Sequence, residues 1–242
     1  MDNKYHQAGK STREMAFRRW RNAVIVGLVV IGIALIILFL ISNSKALGLS
    51  GGVILILLLA IWLMGEWYEG FGRRSRKREK RAVRGARAEE TIGFLLDSMG
   101  PEFFILHDIE SPFGNIDHIV IGEFTGVFLI ETKSHNGKVG VFEGRIMVNG
   151  KQPEKDFIKQ TLNNTYWLKE RITRIAGIQP WITPILVFTN AFVPYSQPIK
   201  NIHVINKKYL SSTIRQKMRV DETITRIWKM KEAIAEDLMK KE

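Results

Sequence analysis

The residues GNIDHIVIGEFTGVFLIETK, at positions 114–133, decide the fold of the polar part of this 242-residue chain. Two runs rich in β-branched residues, 116–121 and 126–133, flank a short glycine-bounded loop, which predicts a β-hairpin. Since alternate residues share one face of a strand, a symmetric loop places Asp117 opposite Glu131, with their Cβ atoms about 5 Å apart. The predicted hairpin therefore brings two carboxylates together.

Two facing carboxylates repel each other, and the cost of that repulsion grows near a protein core. A hard divalent cation would neutralise them, with Asp117, Glu131 and the backbone carbonyl of Thr132 as its ligands. Lys133 shares a face with Glu131 and can orient or deprotonate water or stabilise charge on a phosphate, which predicts metal-assisted phosphodiester hydrolysis. In the alternative, which spacing alone favours, Lys133 only forms a structural salt bridge with the carboxylates.

Further elements are predicted on both sides of the hairpin, and their order favours an α/β fold in which helices flank a mixed sheet. The run 182–189 is almost entirely apolar, as in a strand that is buried on both faces. Asn136-Gly137 predicts a turn after the hairpin, and Asp221 is expected to cap the last helix. The predicted helices are 82–98, 154–175 and 221–240. The other predicted strands are 103–109, 139–148 and 202–205, the second of which is interrupted at Glu143-Gly144.

Two uncharged apolar runs of 19 residues each, 23–41 and 47–65, precede this domain. At about 1.5 Å of rise per residue, a helix of that length matches a hydrocarbon core of roughly 30 Å. A signal-peptide core is shorter, and a core helix of a soluble domain carries a polar stripe, so both alternatives fit poorly. We therefore expect a basic segment at 1–22, a transmembrane hairpin at 23–65, a basic linker at 66–83 and a folded domain at 84–242.

Basic residues flank the predicted transmembrane hairpin on both sides. Residues 1–22 contain six Lys or Arg and residues 73–87 contain nine, whereas the connecting loop contains only Lys45. The positive-inside rule then predicts a multi-pass protein of the cell membrane with both termini in the cytoplasm. Anionic lipid headgroups are the expected partners of these basic flanks.

The overall charge of +12 is concentrated in these flanks. Residues 1–87 contribute +11 and residues 88–242 contribute +1, so net charge by itself does not indicate nucleic-acid binding by the domain. The chain contains no cysteine, which excludes disulfides and thiolate metal sites.

Several motifs within residues 84–175 resemble the nuclease-related (NERD) domain of the PD-(D/E)XK nuclease-like group. They are GARAE at 85–89, GNIDHIVI at 114–121, GVFLIETK at 126–133, Gly137 and Gln160. The resemblance implies a restriction-endonuclease-like fold, Mg²⁺ or Mn²⁺ as cofactor, and cleavage of nucleic acid, with DNA favoured. It also implies an active site of Glu89, Asp117, Glu131 and Lys133, with Gln160 as a supporting polar residue.

The chain departs from the family pattern at two places. Ala88 stands where the family commonly has a second glycine, and Asp156-Phe157 stands where an Asn-Pro pair often precedes the glutamine. Both changes bear on helix geometry and on Gln160 more than on the carboxylates or the lysine.

The remaining polar candidates are given structural interpretations. His118 alternates away from Asp117, which predicts a core-side histidine, while His107 has no identifiable partner and His135 is expected in a solvated loop. A stripe at helical spacing could contact nucleic acid, but we favour a packed Trp167 with amides facing water. The stripe consists of Gln160, Asn163, Asn164 and Trp167.

The sequence thus favours a membrane-anchored nuclease that faces the cytoplasm and depends on Mg²⁺. Two alternatives stay open at this point. One is a catalytically inactive membrane scaffold that binds nucleic acid or a partner protein through the same fold. The other is a metal site that serves only stability.

Overall fold

The computed structural model describes residues 10–43, 45, 46, 48, 50–194, 198–216 and 221–240. The chain forms two compact units, of which one is Thr12–Val83 and the other takes in everything from Arg84 onward. Helix α1 (Lys10–Ser42) belongs to the first unit from Thr12 onward, and helix α2 (Gly51–Asp97) contributes to both. The stretch 66–83, predicted as a linker, is therefore helical backbone within α2.

Both apolar runs lie in these two helices. Trp20–Ser42 and Gly51–Tyr68 are each long and apolar enough to cross a membrane, and few or none of their residues are buried. Such exposure is unlike that of a core helix in a soluble domain. Within this unit a Cβ on Gly27 would lie 2.8 Å from the Tyr68 hydroxyl oxygen, so the two helices pack closely there.

The unit that begins at Arg84 is built on a six-stranded mixed sheet, flanked by helices as the sequence predicts. The strand order is β1-β2-β3-β5-β6, and β4 pairs with β3 outside this order. Antiparallel pairing joins β1 to β2, β2 to β3 and β3 to β4. Parallel pairing joins β3 to β5 and β5 to β6. The strands are β1 (Phe103–Ile109), β2 (Ile116–Gly122), β3 (Gly126–Phe142), β4 (Arg145–Val148), β5 (Ile182–Phe192) and β6 (His203–Asn206). The helices are α3 (Phe157–Ala176), a 3-10 turn (Lys207–Tyr209), α4 (Leu210–Arg215), α5 (Glu222–Lys229) and α6 (Lys231–Leu238).

The β2–β3 hairpin has the register expected from its symmetric loop. Ile121 pairs with Val127 and Ile119 pairs with Leu129, and the ladder ends at His118 opposite Ile130. Asp117 and Glu131 come immediately after the last pair. Both carboxylates therefore lie at the end of the ladder.

Helices cover both faces of the sheet. Ile119 and Ile121 pack with α3, α5 and α6, whereas Val120, which points to the other face, packs with α2 and α4. Strand β5 lies parallel to β3 and pairs Leu186 with Glu131 and Phe188 with Lys133. Strand β3 is therefore interior, and its polar residues stand among apolar neighbours.

The predicted turn at Asn136-Gly137 is wrong, because β3 runs through it to Phe142. The register between β3 and β5 shifts between Lys133 and Asn136, and Gly137 adopts φ +94. The Asn149 side chain accepts a hydrogen bond from the Lys138 N–H and donates one to the Asn136 carbonyl. The glycine therefore lies inside a strand, just after this irregularity, because pairing with β5 resumes at Asn136 and includes Gly137 opposite Ala191.

Two predicted helices also differ in detail. Asp156 caps α3, which begins at Phe157 instead of position 154, and Asp221 caps α5 as expected. The predicted helix 221–240 is divided at Met230, whose φ of −102 and ψ of 10 leave the helical region. No proline or glycine marks this break, so the local sequence carries no signal for it.

Candidate active site

Glu131 and Lys133 form a buried ion pair in the middle of β3. The Lys133 Nζ lies 2.5 Å from the Glu131 Oε1, and the side chains are only 13% and 3% exposed, respectively. Alternation along the strand puts both on the face toward α3, and the Lys133 Nζ lies 4.8 Å from the ring centroid of Phe157. Packing between β5 and α3 therefore encloses this pair in a largely apolar setting.

Asp117 reaches across from β2 to the same strand. Its Oδ2 accepts a hydrogen bond of 2.6 Å from the backbone N–H of Thr132, between the two members of the ion pair. Burial, followed by the negative charges of Glu131 and Glu89, raises the pKa of Asp117 well above its usual value. Lys133 and the Thr132 N–H oppose this rise but do not cancel it.

Glu89, on α2, contributes to the same electrostatic cluster. Its charge acts on Asp117 and on Lys133, although it is 28 residues before Asp117 in the sequence. Burial lowers the pKa of Lys133, but the carboxylates of Glu131, Asp117 and Glu89 raise it more, so its net pKa lies above the usual value. Lys133 is accordingly a cation at neutral pH.

The charge balance of this cluster fits a divalent cation. The charges of three carboxylates act on one ammonium group, and the Oε2 of Glu131 is buried without a hydrogen-bond partner in the described part of the chain. Carboxylate oxygens are the ligands that hard divalent cations prefer. Across the described residues, however, no group of three His, Asp or Glu side chains is placed so that it could hold a metal ion, so a bound ion would also need ligands such as the Thr132 carbonyl or water.

Gln160 lies beside the loop that leads into β2. Its Nε2 would be 3.7 Å from a Cβ on Gly114, and its Oε1 is buried without a partner among the described residues. One turn further along α3, the fully buried Asn164 accepts a hydrogen bond of 2.7 Å from Ser111. The expectation that the amides face water is therefore wrong for Asn164, whereas Trp167 packs against the core as expected.

The histidines have clear structural partners. His118 is buried in the core as predicted, and its Nδ1 lies 2.8 Å from the Nδ1 of His107. The His107 Nε2 lies 3.1 Å from the Oδ1 of Asp97, a contact that sequence reasoning missed because it joins separate elements. Burial, followed by the neighbouring His107, lowers the pKa of His118 well below its usual value.

His135 lies in β3, not in the loop predicted for it. Its ring centroid is 5.4 Å from that of Phe157 and 6.4 Å from that of Phe188. The residue is exposed on one side, and its contacts with the two phenylalanines extend the apolar surface next to Lys133.

Residues 84–189 match the family model described as Nuclease-related domain, NERD. The match begins in α2 and ends within β5, so it contains Glu89, Asp117, Glu131, Lys133 and Gln160. No curated protein and no solved structure matches the chain.

Proposed function

We propose that the protein is a membrane-anchored, metal-dependent nuclease that hydrolyses phosphodiester bonds in DNA, because residues 84–189 match the nuclease-related domain model. One observation carries the proposal: the Glu131 carboxylate lies 2.5 Å from the ammonium group of Lys133, and the Asp117 carboxylate accepts a hydrogen bond from the backbone N–H of Thr132 between them. A cluster of this kind, with perturbed pKa values and excess negative charge, is typical of a catalytic centre.

Mg²⁺ is the proposed cofactor, with Mn²⁺ as a substitute. Asp117, Glu131 and the backbone carbonyl of Thr132 would hold the ion, and Glu89 would complement its charge. When bound, the ion would supply Lewis-acid polarisation of the phosphate. The buried Oε2 of Glu131, which lacks a partner in the described structure, is the atom most in need of a cation.

Residues of the chain itself would supply the other functions of the site. Lys133 stays protonated at neutral pH because three carboxylates raise its pKa, so it is suited to stabilise negative charge that develops on a phosphate. The Thr132 N–H fixes the orientation of the Asp117 carboxylate. Gln160, beside Gly114, would support the loop that carries Asp117 into the site.

The membrane part of the proposal rests on the two exposed apolar helices and on their basic flanks. We place the protein in the cell membrane as a two-span protein with both termini in the cytoplasm, because basic residues flank the hairpin on both sides. Anionic lipid headgroups would bind these flanks. The nuclease domain would then work on DNA at the inner face of the membrane.

The test is metal-dependent cleavage by the full chain in detergent micelles. Plasmid and single-stranded DNA are incubated with Mg²⁺, Mn²⁺ or EDTA, and cleavage by the wild type is compared with that by Asp117→Ala and Lys133→Ala. We expect each substitution to lower the cleavage rate by about 10²-fold or more. Glu222→Ala and Lys229→Ala, which change exposed residues of α5, serve as matched charge controls and should cleave like the wild type.

The other outcomes distinguish the remaining functions. Cleavage that survives both site substitutions would mean that the activity belongs to another site or to a contaminant. DNA or protein binding without cleavage under any metal would favour the inactive scaffold. A metal-dependent rise in Tm without turnover would favour a site that serves only stability.

A further inference from the structure

A chain of three polar side chains crosses from α2 to β2 through the interior of the domain. Asp97, His107 and His118 are joined by contacts of 3.1 Å and 2.8 Å. The two histidines are 1% and 0% exposed, and they face each other across the β1–β2 ladder. The surrounding cluster on this face of the sheet is otherwise apolar, with Ile92, Val120 and Ile130 among its members.

The contacts determine which of these three side chains donates and which accepts at each hydrogen bond. The Asp97 carboxylate accepts, so the His107 Nε2 carries a proton and, in a neutral ring, the His107 Nδ1 accepts. The His118 Nδ1 must then donate, which leaves the His118 Nε2 without a proton. That nitrogen is buried and has no partner within the described residues. A purely apolar pair of side chains would fill the same space without burying a bare ring nitrogen.

The two ends of the chain lie on the elements that carry the acidic cluster. Asp97 is the last residue of α2, two helical turns after Glu89, and His118 directly follows Asp117 in β2. We infer that His107 and His118 are positioning residues, which hold the helix bearing Glu89 at a set distance from the strand bearing Asp117. This inference rests on the proposed function, because it concerns the same cation site.

The position of His118 explains why such a connection is needed. Asp117 and Glu131 lie just beyond the last ladder pair, so β2 and β3 alone do not hold the Asp117 backbone in place. The β1–β2 pairing also skips a residue between His107 and Ile109, where Asp108 adopts φ +55. Pairing resumes at Ile109 opposite Ile116, so the histidine pair lies directly beside this irregularity and connects it to α2.

The test measures metal binding independently of cleavage. The full chain in detergent is titrated with Mn²⁺, and free Mn²⁺ is followed by its electron paramagnetic resonance signal. His118→Asn retains a donor near the Nδ1 position, whereas His118→Leu removes it. We expect His118→Leu to weaken Mn²⁺ binding by about 10-fold or more, and His118→Asn to restore most of that loss, since residues that orient ligands typically contribute this much.

Val120→Ala is the matched control, because Val120 is fully buried on the same strand and the same face but outside the polar chain. It should lower Tm and leave Mn²⁺ affinity within about 3-fold of the wild type, below the effect typical of ligand-orienting residues. Asp97→Ala provides a second variant if His118→Leu does not fold, because the Asp97 side chain is 46% exposed and its removal opens no core cavity. It should also weaken Mn²⁺ binding.

The possible failures are separable. A wild type that neither binds Mn²⁺ nor cleaves DNA overturns the proposed function, and the positioning role falls with it. If the wild type binds and cleaves, but His118→Leu or Asp97→Ala binds Mn²⁺ as tightly as Val120→Ala, the positioning role is overturned and the nuclease stands. If His118→Asn binds as weakly as His118→Leu, a hydrogen bond from position 118 to His107 does not position the site, and the positioning role is overturned.

Discussion

Replacing Lys133 by methionine tests the geometry at the centre of the site. The side chain keeps its length, but Glu131 loses the ammonium group that lies 2.5 Å from its Oε1. The other oxygen, Oε2, is buried without a partner in the described structure, and the Glu131 side chain is 3% exposed. The substitution therefore leaves a buried carboxylate without a positively charged partner.

The expected cost follows from that burial. Removing one partner of a buried ion pair typically destabilises a protein by about 3–5 kcal/mol. For a domain of this size, that corresponds to a fall in Tm of roughly 6–20 °C. The double variant Glu131→Gln/Lys133→Met removes both charges, so it should recover most of the loss and melt close to the wild type.

The assay is thermal unfolding of the full chain in detergent with a chelator present, followed by tryptophan fluorescence. Trp167, Trp181 and Trp228 lie in the unit that begins at Arg84 and report on its unfolding. Lys229→Met is the control, because Lys229 is exposed on α5 and its loss should change stability by less than about 0.5 kcal/mol. A loss below about 1 kcal/mol for Lys133→Met, with no recovery in the double variant, would refute a buried, mutually dependent pair.

Three further predictions follow from other features. Asp117→Asn should melt above the wild type at pH 7 with a chelator present, because the raised pKa of Asp117 means that its ionised form is disfavoured in the folded state. The difference in Tm between the two proteins should disappear as pH falls through the pKa of Asp117, and added Mg²⁺ should raise Tm only in the wild type. If the wild type melts above Asp117→Asn at pH 7 without metal, the ionised form of Asp117 is not disfavoured in the folded state. Gly137→Ala should cost about 1–3 kcal/mol, because the residue has φ +94 and a Cβ there would overlap the Asn149 side chain. Gly150→Ala is its control, with φ +73 but open space around it, and equal melting of the two variants would exclude the overlap as the cause. Since the chain has no cysteine, Lys45→Cys should react with an impermeant thiol reagent in intact cells, and Phe124→Cys only after permeabilisation; the reverse pattern would overturn the proposed orientation.

The β2–β3 hairpin shows which structural features can be predicted from local sequence. Alternation along β2 and β3 and the symmetric loop predict that Ile119 pairs with Leu129, and the structure has that pair. The same reasoning wrongly predicts a turn at Asn136-Gly137. A positive-φ glycine is compatible with a turn or with a strand irregularity, and only pairing with β5, some 50 residues later, selects between them.

The sequence by itself determined the two apolar helices and the common face of Glu131 and Lys133. Length, hydropathy and a period of two are local properties, so each can be read from neighbouring residues. Tertiary structure decided that Glu89 and Asp117 act on the same lysine, and that β5 and Phe157 exclude water from it. The connection from Asp97 through His107 to His118 likewise exists only in the folded domain. The physical reason is that burial and charge–charge energies depend on distances between residues far apart in the chain, which no local pattern specifies.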